Sequence, residues 1–397
     1  MKSRHYLYLV VAMILVVVTL FAGSCTTEDE EVTPVIIGTT LGLTGPASSI
    51  TRPALDGVLM AVEEVNARGG LVYDGSSHPV IVISYDGKWD SSATTKATRK
   101  LVFEDNVDVI IQSPNSAANI AAQAVTEPNK IISYSLGWAK DLLGPDKPYS
   151  FRIAPTCHET GWALWKWCRE EGYPEASTMV SIGPDYITSR GYAENDQKPA
   201  LAHYNFEMLA EELYPQGTSD FYPMITRILE KKPDIIELNS GGPDVYPLVK
   251  QIRELGYSGP IVTVGTQPPA TAIEMCGADA AEGYTAQGFV WTEEGVLPIA
   301  KEFYEKCVDR YGEHTNQNFG YEAAWFYFQA VEGAGSVDAD AIREYFETET
   351  IQGLWGDCHF GGESYYGINH QMISPVGIIG VVDGKVRQLY VGSPELE

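Results

Sequence analysis

The sequence predicts an α/β fold of two similar lobes, each a doubly wound parallel sheet with helices on both faces. Three observations predict it. Short β-branched runs without polar alternation, Val35–Ile37 first among them, read as strands covered on both faces. Amphipathic helical stretches alternate with such runs, which is the pattern of a parallel sheet. The alternation restarts after Tyr149–Pro155, and 397 residues are enough for two cores.

Taken in order, Val35–Ile37 leads through Gly42, Gly45 and Pro46 to a helix. Thr51 reads as its cap, and Pro53 suits a first turn. Leu55, Val58, Leu59, Val62 and Val65 fall on one helical face, and Gly69–Gly70 stop it. Val80–Tyr85, Val107–Ile111 and Ile131–Ser133 are the next strands, separated by helices over Ser92–Phe103 and Ser116–Val125. Beyond Pro155 a helix covers His158–Glu171, where Trp162 and Trp165 read as packing rather than a ligand stack. Strands over Thr178–Ile182, Phe206–Leu213, Ile235–Leu238 and Ile261–Val264 alternate with helices over Gly191–His203, Tyr222–Lys231 and Pro243–Leu255. Glu282–Phe289 is a return strand. Helices over Val296–Tyr311 and Phe319–Val331 follow, and short strands over Val376–Val382 and Val386–Tyr390 end the chain.

The net charge of −26 excludes a nucleic-acid backbone as partner, because no surplus of cations exists to displace its counterions. It fits a soluble, self-repelling surface. Residues 1–24 read as an export signal, with Lys2 and Arg4 before an apolar run from Tyr6 to Phe21. That run is short for a membrane span. Residues 25–34 are acidic and suit a tether. Five cysteines remain beyond Cys25, an odd number that forbids complete pairing, so free structural thiols are expected for most.

No catalytic pattern is selected. Gly256-Tyr-Ser258-Gly-Pro260 ends in proline where a nucleophile elbow needs glycine, and Gly384-Lys385 lacks a phosphate-cradling loop. His158-Glu159 has no second histidine to complete a zinc helix. Neither a metal nor a cofactor is expected, and an enzyme is the weaker reading.

The strand at Val35, the run LTGP and the helix ending VEEVNARGG resemble the opening of type I periplasmic solute-binding proteins. The branched-chain amino-acid receptors of ABC transporters are the most similar group. YSFRIAP (Tyr149–Pro155), PQGTSDF (Pro215–Phe221) and GYEAAWFYFQAVEGAG within the Phe319 helix resemble further segments of that family. The resemblance implies a three-segment hinge, with 35–152 and 286–348 in lobe 1 and 153–285 and 349–397 in lobe 2. Ala-Gly-Ser-Cys at 22–25 resembles a lipobox, with Ala22 where leucine is commoner, which implies lipidation at Cys25 and an exported, membrane-tethered receptor.

In open parallel sheets ligands bind beyond the carboxyl ends of the strands. There lies Asn115-Ser116, whose helix start offers a hydroxyl and free N–H groups to a carboxylate; a plain helix cap is the alternative. The resemblance implies ligand contacts at Ile50, Asn115, Ser116, Ser135, Gly137, Trp138, Tyr186, Gly241 and Thr266, with Ser189 competing for the place of Tyr186. Gly137 replaces a usual threonine and Gly241 a tyrosine. Trp89 stands where some relatives have a cysteine bridged to one near Pro114, so that cross-link is absent. Val264-Gly265-Thr266-Gln267 lacks the acid that in the resembled receptors pairs with an amino acid's ammonium, which points to a small carboxylate or amide without a free ammonium, or to an ammonium held by another acid. The function implied is a receptor delivering a small molecule to an ABC permease. A sensor on the same fold and a secreted α/β enzyme are the alternatives.

Overall fold

The structure, a computed structural model, describes residues 32–45, 48–185, 187–215, 217–240, 242–292 and 296–394. The export signal and Cys25 lie outside the described residues. Strand β1 (Val35–Thr39) is followed by a two-stranded ribbon, β2 (Leu71–Tyr73) and β3 (Ser76–His78). Then come β4 (Val80–Ser84), β5 (Val109–Ile111), β6 (Ile132–Ser135) and β7 (Ser150–Arg152). The next series is β8 (Thr178–Pro184), β9 (Glu207–Tyr214), β10 (Ile235–Leu238), β11 (Ile261–Val262) and β12 (Tyr284–Gln287). The chain closes with β13 (Ile351–Gly353), β14 (Gly356–Gly361), β15 (Gln371–Ile373), β16 (Val376–Val382) and β17 (Lys385–Gly392).

These strands form two large sheets. The first runs β13-β14-β15-β7-β6-β5-β1-β4 and the second β17-β16-β12-β11-β10-β8-β9. Pairing is parallel from β4 across to β15 and from β9 across to β12; the antiparallel strands sit at one edge of each sheet. Each sheet is covered on both faces, which explains why its strands carry continuous apolar runs. On one face of the first sheet Val35, Ile37, Val109, Ile111 and Phe151 pack with Val58, Val65, Phe326 and Phe346 from helices. On its other face Leu101, Val102, Val107, Ile110 and Val125 make a smaller core. The second sheet repeats the plan, with Ile225, Leu248 and Ile252 on one face and Leu164, Trp165, Trp167 and Leu201 on the other. Trp165 is fully buried and Trp162 packs beside it, so the tryptophan cluster is core.

Two expectations are corrected. The first long helix begins at Ser48, so Thr51 lies inside it, where its hydroxyl donates to the Gly42 carbonyl instead of capping. Residues 351–373, assigned from sequence to the second lobe, belong to the first sheet. β15 pairs parallel with β7 through Gln371 and Arg152, and the Arg152 N–H donates to the His370 carbonyl at 2.9 Å. Only β16 and β17 of that last stretch join the second sheet.

The helix Ser48–Ala67 crosses Gln317–Ala334 at two glycines. A Cβ on Gly57 would stand 1.9 Å from the Gln317 carbonyl oxygen, and one on Gly320 1.7 Å from that of Ala54. Backbone meets backbone there. The five described cysteines, Cys157, Cys168, Cys276, Cys307 and Cys358, are all free thiols.

The chain passes between sheets after β7, after β12 and between β15 and β16. The first two departures leave from carboxyl ends of parallel strands, and β16 starts alongside the carboxyl end of β12, with Ile378 opposite Gln287. The crossings therefore sit at the carboxyl edges of both sheets.

Candidate functional site

The first wall is built at the ends of β5 and β6. Asn115 caps the helix Ser116–Thr126 by accepting from the Ala118 N–H at 3.1 Å. Its amide nitrogen donates to the Trp89 carbonyl at 2.8 Å. That bond ties the loop after β4 to the loop after β5. Each polar atom of Asn115 thereby has one partner, and the residue caps the helix.

The neighbouring serines are organised differently. Ser116 Oγ accepts the N–H groups of Trp138 and Ala139, both at 3.1 Å. Ser135 Oγ, buried, accepts from Asn119 Nδ2 at 2.8 Å and from the Gly137 N–H at 3.0 Å. Both oxygens act as acceptors, so each O–H proton remains to be donated elsewhere. Gly137 closes the loop tightly: a Cβ there would stand 2.8 Å from Ser116 Oγ and from Leu142 Cδ1. The threonine usual in relatives does not fit this arrangement. Trp138 is exposed at the loop's tip.

The turn after β1 is held against this edge by Asp86. Its carboxylate accepts from Leu43 N at 2.8 Å, Lys88 N at 2.9 Å and Thr44 Oγ1 at 2.5 Å. Burial pushes the carboxyl upward, but the hydrogen bonds from Thr44, Lys88 and Leu43 outweigh it and hold Asp86 below its ordinary value.

Arg152, which ends β7, is the residue that sequence reasoning missed. Its side chain is fully buried. Nε donates to Gln371 Oε1 at 2.5 Å and Nη1 to the Ala139 carbonyl at 2.8 Å. Nη2 has no hydrogen-bond partner among the described residues. The guanidinium carbon lies 4.6 Å from the centre of the Tyr366 ring. Tyr366 in turn donates to Glu159 Oε1 at 2.8 Å, at the start of the helix that opens the second lobe.

The second wall follows β11. Thr263 Oγ1 donates to the Leu238 carbonyl at 2.7 Å and accepts the Gly265 N–H at 3.0 Å, which fixes the bend. Thr266 is exposed beyond it. Gln267 Oε1 is buried without a hydrogen-bond partner among the described residues. Ser189 is tied to Asn239, receiving its Nδ2–H at the backbone carbonyl at 3.0 Å. Deeper in this lobe, Glu237 on β10 is fully buried. It accepts from the Tyr192 hydroxyl at 2.8 Å and contacts Gln197 Nε2. Burial pushes its carboxyl up to about 8, with the Tyr192 bond pulling down and the Glu211 charge adding to the rise.

The structure thus brings Asn115, Ser116, Ser135, Gly137 and Trp138 into one loop cluster, with Thr266 at the matching edge of the other sheet. Tyr186, Gly241 and the side chain of Ile50 lie outside the described residues. Among the described residues no group of histidines, cysteines and carboxylates could hold a metal ion.

A family model described as periplasmic binding protein matches residues 34–385. The protein named Leu/Ile/Val-binding protein homolog 8 of Brucella abortus (strain 2308) is 24% identical over 343 residues, covering 81% of this chain and 82% of that relative. The branched-chain amino acid transporter substrate binding protein of Streptococcus pneumoniae, solved in complex with isoleucine, superposes with a TM-score of 0.70. It is 22% identical, and the match covers 91% of this chain and 100% of that one. A solute binding protein of an ABC transporter from R. palustris, in complex with benzoate, superposes with a TM-score of 0.67 at 15% identity, covering 91% and 97%. The two sheets with their helices are the two α/β lobes of the type I fold these proteins share.

Proposed function

Because the chain belongs to the periplasmic binding protein family, we propose that it is an extracytoplasmic receptor that closes two lobes on a small solute and hands it to an ABC permease. Fold and family are those of receptors rather than enzymes. The observation that carries the reading is the pair of serines on the first wall. Ser116 spends its lone pairs on the Trp138 and Ala139 N–H groups, Ser135 on the Asn119 side-chain amide and the Gly137 N–H, and each keeps a hydroxyl proton for a ligand oxygen. Beside them the first turn of an eleven-residue helix presents unpaired N–H groups and partial positive charge. A carboxylate or amide oxygen matches that donor set.

The other wall sets the second half of the ligand. Thr266 and Gln267 place no carboxylate where an ammonium would need one, and an unpaired ammonium in a closed cleft costs several kcal/mol. The ligand is therefore a small aliphatic or aromatic carboxylate or amide without a free ammonium. Closure follows from contacts to both walls, since a ligand shifts the open–closed balance only by its differential affinity for the two states. Residues 1–24 act as the export signal in this reading, and a lipid on Cys25 holds the receptor at the membrane.

Native mass spectrometry of gently purified protein tests the reading by catching a co-purified solute. Calorimetry against leucine, valine, isoleucine and benzoate then sorts the class. Micromolar binding of a branched-chain amino acid would sink the ammonium-free assignment and leave the receptor standing. Sustained turnover of a bound compound by pure protein would sink the receptor assignment itself.

A further inference from the structure

The two lobes are joined by more than their three crossings. Between β14 and β15 the chain makes one helical turn, Glu363–Tyr366, set between Gly362 and Gly367, whose φ angles of 90° and 76° lie in the left-handed region. Asn369 closes the base of the turn by accepting the Glu363 N–H at 3.0 Å. The turn belongs to the first lobe, yet its two tyrosines contact the second. Tyr366 donates its hydroxyl to Glu159 Oε1 at 2.8 Å and lies 3.3 Å from Thr156 Oγ1. Tyr365 stacks on the His158 ring, with centroids 3.8 Å apart and planes 12° from parallel. His158 is held in turn by Asp196 at 2.9 Å, and His158, Glu159, Asp196 and Tyr366 are all buried.

The first lobe backs the same two rings with cations. Arg152 lies 4.6 Å from the centre of the Tyr366 ring, and Lys140 Nζ 4.0 Å from that of Tyr365. Burial and then the Glu159 charge push the Tyr366 phenol well above its ordinary value, so it stays a donor across the physiological range. Among the described residues no ion pair joins the two lobes. The hydrogen bonds that shape the loops after β5, β6 and β11 stay within their own lobes. A change of angle between the lobes therefore bears on the two tyrosines. Their second-lobe partners keep donors of their own when the turn withdraws. Glu159 retains Thr156 N–H and Oγ1–H, both at 2.6 Å, and Asp196 retains His158. A carboxylate with such donors left is far less costly to uncover than one stripped bare.

We propose that Glu363–Tyr366 is a strap that sets the balance between lobe spacings: bonded to Glu159 and stacked on His158 it holds the spacing seen here, and its release lets the lobes change angle. This rests on the lobe movement of the receptor reading above. A solute moves that balance by its differential affinity for the two spacings. Weakening the strap therefore changes the apparent affinity of every solute by one common factor.

The test measures lobe spacing in the full chain with no solute added. Nitroxides at Lys96 in the first lobe and Lys231 in the second, both exposed, report the distance by double electron–electron resonance. They are attached through a non-canonical amino acid, which leaves the native thiols alone. Tyr366→Phe removes the bond to Glu159 and keeps the ring, so the share of an altered spacing relative to the wild-type one is expected to rise about tenfold or more. Tyr365→Leu removes the stack on His158 and is expected to raise it roughly threefold or more. Tyr321→Phe removes a comparable bond inside the first lobe, to Glu64 at 2.7 Å, and is expected to leave the distances as they were. Should one strap variant fail to give a cooperative thermal melt, the other decides. Wild-type distances in a folded strap variant overturn the inference. An equal shift in Tyr321→Phe also overturns it, by reducing the strap to general packing. Because no solute is needed, the strap can fail while the receptor reading stands, and the co-purification experiment can fail while the strap stands.

Discussion

Replacing Glu237 by glutamine tests the electrostatics of the second lobe without touching the cleft. Glu237 is fully buried, and burial raises its carboxyl from 4.5 to about 8. The folded protein therefore holds a proton through neutrality that the unfolded chain releases near 4.5. A raised carboxyl stabilises fully below its unfolded value, and that contribution is lost as pH climbs toward the folded one. Over that window stability falls by about 1.4 kcal/mol per pH unit, or roughly 3–4 kcal/mol between pH 5 and pH 8. Glutamine keeps the shape, cannot ionise, and retains an oxygen for the Tyr192 hydroxyl. Gln197 Oε1, which has no partner now, can accept the new amide N–H once its own amide is turned. Denaturant midpoints followed by tryptophan fluorescence at pH 5, 6, 7 and 8 should show the variant gaining on the wild type by about 1 kcal/mol per step. Parallel curves for the two proteins would refute the argument and mean that Glu237 is already charged in the fold.

Thr266→Glu adds an acid to the second wall, so isoleucine affinity by calorimetry should rise in the variant above that of the wild type. Gly137→Thr adds back the hydroxyl usual in relatives, but its Cβ would sit 2.8 Å from Ser116 Oγ. It should cost about 1–3 kcal/mol in thermal unfolding and weaken ligand binding rather than strengthen it. Gly57→Ala drives a Cβ against the Gln317 carbonyl oxygen, 1.9 Å away. A loss of about 3 kcal/mol or more in first-lobe stability is expected, with the second-lobe transition unmoved.

Much of the fold was legible because covered strands and amphipathic helices carry distinct periods. Val35–Ile37, Val80 onward and Ile235–Leu238 declare themselves by β-branched runs, and the Trp162–Trp167 cluster reads as core from its spacing. The stretch β13–β15 does not, since three short strands joined by turns offer too few residues for a period to show. Their return to β7 depends on the pairing of Gln371 with Arg152, a contact 219 residues apart in the chain. Thr51 misled because serines at 48 and 49 could start the same helix three residues earlier. At the edge of the first sheet, the place of Ser116 at a helix start after a strand was legible. Arg152 was not, because an arginine in Tyr149–Pro155 reads as an ordinary solvated side chain, and only burial reveals it. Gln267 escaped for the same reason, being notable for the partner it lacks.

The link from β15 to β16 contains only Ser374 and Pro375. A link of that length spans about 10 Å at full stretch, and proline fixes one of its few free torsions. The halves therefore cannot drift apart at this edge, however far they gape at the opposite rim. Their relative travel is that of a book's covers, with the spine set beside Ser374-Pro375.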